Sequence, residues 1–242
     1  MAGHTNFILS RLEPNVAARL QPHLSVIHLR HGQVLADTHQ HVHRVYFPHS
    51  GIISSVVELS DGGSIESGMI GNDGAFGAGQ ALDGRVSLNR VVIQVPGTAS
   101  VIECGRLCEL ALALPALRAL LMKYEQFFFA QVQQAVACNA VHNVEKRTCK
   151  WLLRMHHLVG DDLPLTQEFL AEMMGVRRTS VTGVASDLQK QGMITYRRGH
   201  IHINDLERVR EHACECDEAI HSHHRRIFET EQSTSLSALS CR

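Results

Sequence analysis

Three groups of side chains have the types and spacing to do chemistry. The first runs from Thr166 to Arg198. Arg177, Arg178, Thr179, Ser180 and Thr182 crowd one short stretch, and Arg197-Arg198-Gly199 follows. Polar groups near the start of a helix can reach base edges in a major groove. A single Arg can hold guanine through two hydrogen bonds, worth ~1–3 kcal/mol of discrimination. The second group is His39, His41 and His43, an H-x-H-x-H pattern. On a strand all three point to one face, at metal-ligand-like reach. The stretch precedes Val45-Tyr46-Phe47-Pro48 at a sheet edge, where polar residues are ordinary. The third group is the cysteines at 104, 108, 138, 149, 214, 216 and 241. An odd count in a chain that is neither small nor visibly secreted argues against a disulfide framework. Cys104 and Cys108, as C-x3-C, are too sparse for an iron–sulfur cluster by themselves. Buried, inert thiols are the favoured reading of that pair.

The elements that must position these groups are legible in outline. Thr166 is a natural N-cap, and Leu170, Met173 and Met174 form the buried stripe of a short helix. Gly175 breaks that helix where a tight turn is needed. A second helix is predicted over 178–191, with Val181, Val184 and Leu188 inward and Arg178, Thr179, Thr182 and Ser186 outward. Residues 193–196 and 200–203 then alternate as two strands around Arg197-Arg198-Gly199. Two helices, a turn and a small hairpin with a basic tip make a winged helix-turn-helix, the wing suited to a phosphate backbone. Two short helices around a glycine are common in other settings, so the added wing and the preceding helix carry the assignment.

Upstream, a helix is predicted over 7–20 with Asn6 as its cap. Short Val- and Ile-rich segments follow at 25–30, 42–47, 51–59, 64–70, 90–95 and 99–104. Turn residues separate them, including Pro48-His49-Ser50-Gly51 and Asp61-Gly62-Gly63. That spacing predicts an antiparallel sandwich or barrel. The period turns helical from Leu107. Residues 116–140 contain no Gly or Pro and are apolar on two faces, one through Leu121, Tyr124 and Phe128, the other through Leu120, Phe129, Val132 and Val136. One face can pack on the sandwich and the other on a partner subunit; burial inside one monomer is the alternative. Asn143 caps a further helix over 144–159. After Cys216 the chain is His- and Ser-rich with few apolar anchors, which predicts a remnant of helix and then disorder.

Bulk properties narrow the class. The chain has 242 residues and a net charge of −1. Between Pro164 and Ile203, however, five Lys/Arg face three acids, the local basic balance that nucleic acid binding needs. Apolar residues make up 44%, and no apolar run approaches the ~20 residues of a membrane span. No basic region followed by an apolar core opens the chain, so a cytoplasmic protein without a membrane partner is expected.

At these residues the chain resembles the CRP/FNR superfamily of bacterial regulators, over about residues 6–216. Thr166–Ile203 is similar to the family's turn, recognition helix and wing, and Asn143 falls at its hinge. Val45–Val56 and Gly71-Asn72-Asp73-Gly74 resemble its cyclic-nucleotide-binding-like roll, and Ala213–Cys216 resembles a rhizobial-type branch. The resemblance implies an α+β fold: an N-terminal antiparallel β-roll of jelly-roll type, a long dimerisation helix and a C-terminal winged helix-turn-helix. The expected divisions are a sensory roll over 1–115, the dimer helix over 116–142, the DNA-binding unit over 143–216 and a disordered tail over 217–242. It also implies a homodimeric transcription regulator on a two-fold symmetric operator, with RNA polymerase a further partner consistent with that role. Arg178 matches the Arg that reads guanine, and Thr166 and Arg197 match phosphate-touching positions. Thr179 and Gly183 stand where the best-known member carries Glu and Arg, so a different operator is expected, with Arg177, Ser180, Thr182 and Arg198 completing the interface.

The family's nucleotide site pairs Gly-Glu on the ribose with Arg-Ser/Thr on the phosphate. The matching stretch here runs through Gly74–Gln80 and Ser87–Arg90. It lacks the Glu and the Arg-Ser/Thr order, leaving Arg85 or Arg90 as the only cations, so tight cyclic AMP binding is not expected. Iron–sulfur members use clustered N-terminal cysteines, and the first 103 residues contain none. The alternative from another class is a metal- or haem-dependent sensor, or a cupin-like metal enzyme, built on His39, His41 and His43. The later strands add only Glu58, Glu66 and Glu103 as acids, and no nucleophile–base pair is legible. No catalytic residue and no cofactor is assigned.

Overall fold

A computed structural model of the chain describes residues 6–84 and 86–229. Residues 1–5, Arg85 and residues 230–242 lie outside them.

The N-terminal helix is split into α1 (Phe7–Ser10) and α2 (Pro14–Leu20). Pro14 starts α2, where its missing N–H costs nothing. Asn6 caps α1 by accepting from Leu9 N, and its side-chain amide donates to the carbonyls of Pro48 and Gly74 at 2.9 and 2.8 Å. One buried amide thereby pins the start of the described chain to the sheet.

The roll is one antiparallel sheet of β1 (Ser25–Leu29), β2 (Val34–Ala36), β3 (Arg44–Glu58), β4 (Ser64–Ile70) and β5 (Arg90–Glu103). Its order is β1-β5-β3-β4, with β2 also on β5. The sequence predicts four short strands where the structure has the two long ones, β3 and β5. Pro48-His49-Ser50-Gly51 is not a turn but a run of register shifts inside β3. Gly51 holds φ +83°, and a Cβ on Gly51 or Gly97 would strike the facing backbone. Glycine lets the two strands touch while they bend, so the ribbon curls without breaking.

After α3 (Ala78–Asp83), one face of the sheet packs Val45, Phe47 and Ile102 against Leu107 of α4 (Cys104–Ala113) and Leu117 and Leu121 of α5 (Pro115–Val141). Tyr46, Ile53, Ile93 and Val101 pack on the other face.

Past α5 come α6 (Val144–Val159), β6 (Asp162–Pro164), α7 (Gln167–Met174), α8 (Arg178–Lys190), β7 (Ile194–Arg197), β8 (His200–Ile203) and α9 (Leu206–His212). β8 lies between β6 and β7. Asn143 caps α6 by accepting from Lys146 N at 2.9 Å. Leu152, Met155, Leu170, Val181, Leu188 and Ile201 share a core that continues into Ile52, Val56 and Met69 of the roll. Gly175 sits so close to the roll that a Cβ there would come within 2.8 Å of the Ile65 side chain on β4.

The remnant of helix expected after Cys216 is a full helix, α10 (Cys216–Phe228), which lies along α5 and occupies the first half of the span 217–242 expected to be a disordered tail. Its anchors are Ile220, Ile227, Phe228 and the His224 ring, which meets Phe7 and Phe127 at centroid distances of 4.8 and 5.1 Å. Histidines counted as polar hid that apolar face. The rest of the expected tail lies outside the described residues. Among the described residues no helix is long and apolar enough to cross a membrane.

Candidate nucleic-acid interface

The first turn of α7 organises the surface. Thr166 caps it, its hydroxyl oxygen accepting from Phe169 N at 3.1 Å. On one side Leu165 N donates to Gly199 O at 2.8 Å, which seats the tip of the β7–β8 hairpin beside Thr166. On the other side the Thr182 hydroxyl donates to Gln167 Oε1 at 2.8 Å, and the Arg178 guanidinium lies 3.7 Å from Glu168. Three stretches distant in sequence thus form one face, with Thr166, Arg178, Thr182 and the hairpin tip around a common centre.

Gly175 ends α7 at φ +62°, and α8 starts three residues later at Arg178, behind Arg177. Arg177 makes no side-chain cap bond and Ser180 N donates to Arg177 O at 3.0 Å, which leaves the amides of Arg178 and Thr179 at the open start of α8, where helix geometry favours an anion. Arg177, Arg178, Thr179, Thr182 and Ser186 are exposed and Ser180 is half-buried. The buried positions of α8 are Val181, Ala185 and Leu188. Val184, expected inside, is only half-buried, because a 3.6-residue period carries the stripe through 185. Gly183 faces open space. The Arg178–Glu168 pair is exposed on both sides, so it orients the guanidinium without holding it.

Arg197 and Arg198 are both exposed at the hairpin tip. Arg197 pairs with His200, and Arg198 (φ +47°) and Gly199 (φ +81°) form a two-residue turn with both φ positive, the primed type that matches strand twist. A left-handed Arg costs roughly 1–2 kcal/mol, and Asn fits that position better. Arg198→Asn is therefore expected to raise stability by about 0.5–1 kcal/mol. A urea melt reads this directly, and an unchanged or lowered midpoint would contradict the strained turn.

The other two groups fare differently. His39, His41 and His43 do not share a strand face. β3 begins only at Arg44, and His39 sits in a turn at φ +68°, which breaks the alternation. Among the described residues they do not gather as a ligand set. Cys104 and Cys108 are half-buried on α4, and burial pushes the Cys104 thiol up to about 11, so it is protonated and unreactive. In the stretch matching a nucleotide site, Arg90 pairs with Glu58 at 3.2 Å and Asp37 at 3.7 Å. The Ser87 hydroxyl donates to Asn89 O, and Glu125 of α5 accepts from Gly79 N at 2.9 Å.

Nothing in the residue pattern points to the seam between the roll and α6. There Arg154 donates to Asp73 at 2.6 Å and to Met69 O at 2.9 Å, and Trp151 donates to Glu66 at 3.0 Å. The partners are more than eighty residues apart, beyond any spacing motif.

Residues 146–212 match the Crp-like helix-turn-helix domain. Among solved structures, FixK2 from Bradyrhizobium japonicum superposes with a TM-score of 0.68 at 15% identity, over 79% of this chain and 98% of that one. A CRP/FNR-family transcriptional regulator from Thermus thermophilus gives 0.63 at 19% identity, over 80% and 98%. The CLP regulator of Xanthomonas campestris gives 0.62 at 15%, over 79% and 99%. No curated protein sequence matches the chain significantly. The carboxy-terminal unit is thus a Crp-like helix-turn-helix domain, set in a chain with the fold of the CRP/FNR transcriptional regulators.

Proposed function

We propose that this chain is a homodimeric, sequence-specific DNA-binding transcription regulator that reads a two-fold symmetric operator with α8. The observation that carries this reading is the single exposed face formed by Thr166, the uncapped start of α8 and the Arg197-Arg198 tip. An α-helix fits the major groove, and Arg178, Thr179, Ser180 and Thr182 lie on its first two turns, where base edges come within reach. The α8 amides, Arg177, Thr166, Arg197 and Arg198 face where phosphates would pass. Gly183 leaves the middle of the face flat, which supports an operator read by few side chains.

The dimer rests on α5. Met122, Phe129 and Val136 stand seven residues apart and are 56, 61 and 66% exposed. A heptad stripe of that kind is the seam of a paired helix. Two chains so joined place two α8 helices about one helical turn of DNA apart. The effector is not cyclic AMP in this reading, since Arg90, Ser87 and Gly79 already have partners within the chain.

A mobility shift against genomic fragments tests the proposal. The wild-type chain is expected to retard a discrete fragment, with two chains per duplex by native mass spectrometry. Arg178→Ala is expected to weaken that complex roughly 10–100-fold, corresponding to ~1–3 kcal/mol, and to relax the preference at one base pair. Undiminished binding by Arg178→Ala would overturn the recognition-helix assignment.

A further inference from the structure

Four side chains that the DNA-reading face does not use meet at the C-terminal end of α5. Cys138 lies in its last turn and His142 caps it. Cys214 comes from the link between α9 and α10, and Cys216 is the first residue of α10. One ligand atom from each lies within 4.8 Å of every other. Cys138 Sγ is 3.6 Å from Cys214 Sγ, and Cys216 Sγ is 3.6 Å from His142 Nδ1. Tetrahedral zinc, with Zn–S of ~2.3 Å and Zn–N of ~2.0–2.1 Å, sets two sulfurs about 3.8 Å apart and a sulfur and a nitrogen about 3.6 Å apart. Two opposite edges of such a tetrahedron, Cys138–Cys214 and Cys216–His142, already stand within about 0.2 Å of that length, and the remaining distances are no more than 4.8 Å.

The surroundings fit a ligand set better than a patch of apolar thiols. Cys138, Cys214 and Cys216 are 2, 4 and 1% exposed, and they form a buried group of their own, apart from the three apolar cores. An imidazole closes the group, which apolar packing does not require. While Nδ1 of His142 faces the sulfurs, its Nε2 lies 3.2 Å from Glu215. A carboxylate behind a ligating histidine fixes the tautomer and the ring. The Gln134 side-chain amide donates to Cys216 Sγ at 3.1 Å, as an N–H does to a metal-bound thiolate.

We propose that Cys138, His142, Cys214 and Cys216 form a closed tetrahedral site for a thiophilic divalent cation, with zinc the ion that this geometry and donor set select. Three thiolates and one imidazole with no open position make a structural site, not a hydrolytic one. Binding releases up to three thiol protons and leaves His142 donating Nε2–H to Glu215. The two halves are 76 residues apart in sequence. Metal therefore ties the end of α5 to the exit of the helix-turn-helix unit and holds α10 along α5. The site does not depend on the DNA reading.

The test uses the full chain, reduced, stripped and reloaded with zinc or cobalt(II). One equivalent per chain is expected by elemental analysis, with the intense visible bands and thiolate charge-transfer absorption of tetrahedral cobalt. Cys138→Ser and Cys214→Ser should each lose that absorption, while Cys104→Ser keeps it. Glu215→Gln should weaken zinc about tenfold in competition with a chromophoric chelator. A reduced wild-type chain that binds neither ion tighter than micromolar overturns the proposal. So does metal retained by both serine variants, or a Cys138–Cys214 disulfide in metal-free protein that zinc cannot replace after reduction. If the serine variants do not fold, the wild-type cobalt spectrum decides, because charge-transfer absorption requires thiolate ligands.

Discussion

Asp73→Asn is expected to destabilise the chain by about 3 kcal/mol near neutral pH. Asp73 accepts from Arg154 at 2.6 Å, with the two side chains only 15 and 14% exposed. Burial acts to raise the Asp73 carboxyl, but the Arg154 guanidinium outweighs it and holds the group below the usual carboxylate range. Removing the negative charge leaves a guanidinium with Met69 O at 2.9 Å and no partner for its Nε. An uncompensated buried charge costs far more than the pair itself contributes. The residual exposure puts the expected loss at the low end of the ~3–5 kcal/mol range for such breaks. Arg154→Met in the same chain should recover most of it, because an apolar side chain needs no partner there. Denaturant melts of the wild type, both single variants and the double variant close the cycle. Equal losses for Asp73→Asn with and without Arg154→Met would sink this account. The damage falls on the seam where the Gly71–Gly74 turn meets α6.

That seam marks the limit of what the sequence discloses. The helix-turn-helix was legible because its signals are local: Thr166 as cap, Gly175 as left-handed turn, Val181 and Leu188 inward, Arg198-Gly199 at a hairpin tip. The roll was legible as strands but not in its lengths. Pro48–Gly51 has turn composition, and only the approach of β3 to β5 shows that the chain bends there without stopping. H-x-H-x-H promised a shared face only if the backbone stayed extended, and His39 turns left-handed. The length and packing of α10 were not legible because its contacts with Phe7 and Phe127 are made partly by an imidazole. The Cys138–Cys214 and Asp73–Arg154 groupings each join residues more than seventy positions apart. Local period carries no information at that range, so these features exist only once the fold is known.

Glu66 should make the same seam sensitive to pH. It lies on β4, accepting from Ser54 Oγ at 2.6 Å and from Trp151 Nε1 at 3.0 Å. Burial drives its carboxyl from 4.5 up to about 7, against the pull of those hydrogen bonds and of the Lys150 and Arg154 charges. A carboxyl that titrates higher in the folded state than in the unfolded one binds more protons when folded. Stability contributed by this group is therefore full below about pH 4.5, falls as pH rises, and is lost above about pH 7. Glu66 keeps some surface, so the expected loss is about 2 kcal/mol rather than the full cost of a sealed charge. Glu66→Gln, which cannot ionise, should lack this component and gain on the wild type by that amount between pH 4.5 and pH 8. Other groups titrate equally in both proteins, so the difference between their urea midpoints isolates this one. Parallel curves across that range would show that Glu66 is not titrating against Trp151. A gap that opens as pH rises would place a proton-sensitive contact between β4 and α6, the helix that leads into the DNA-reading face.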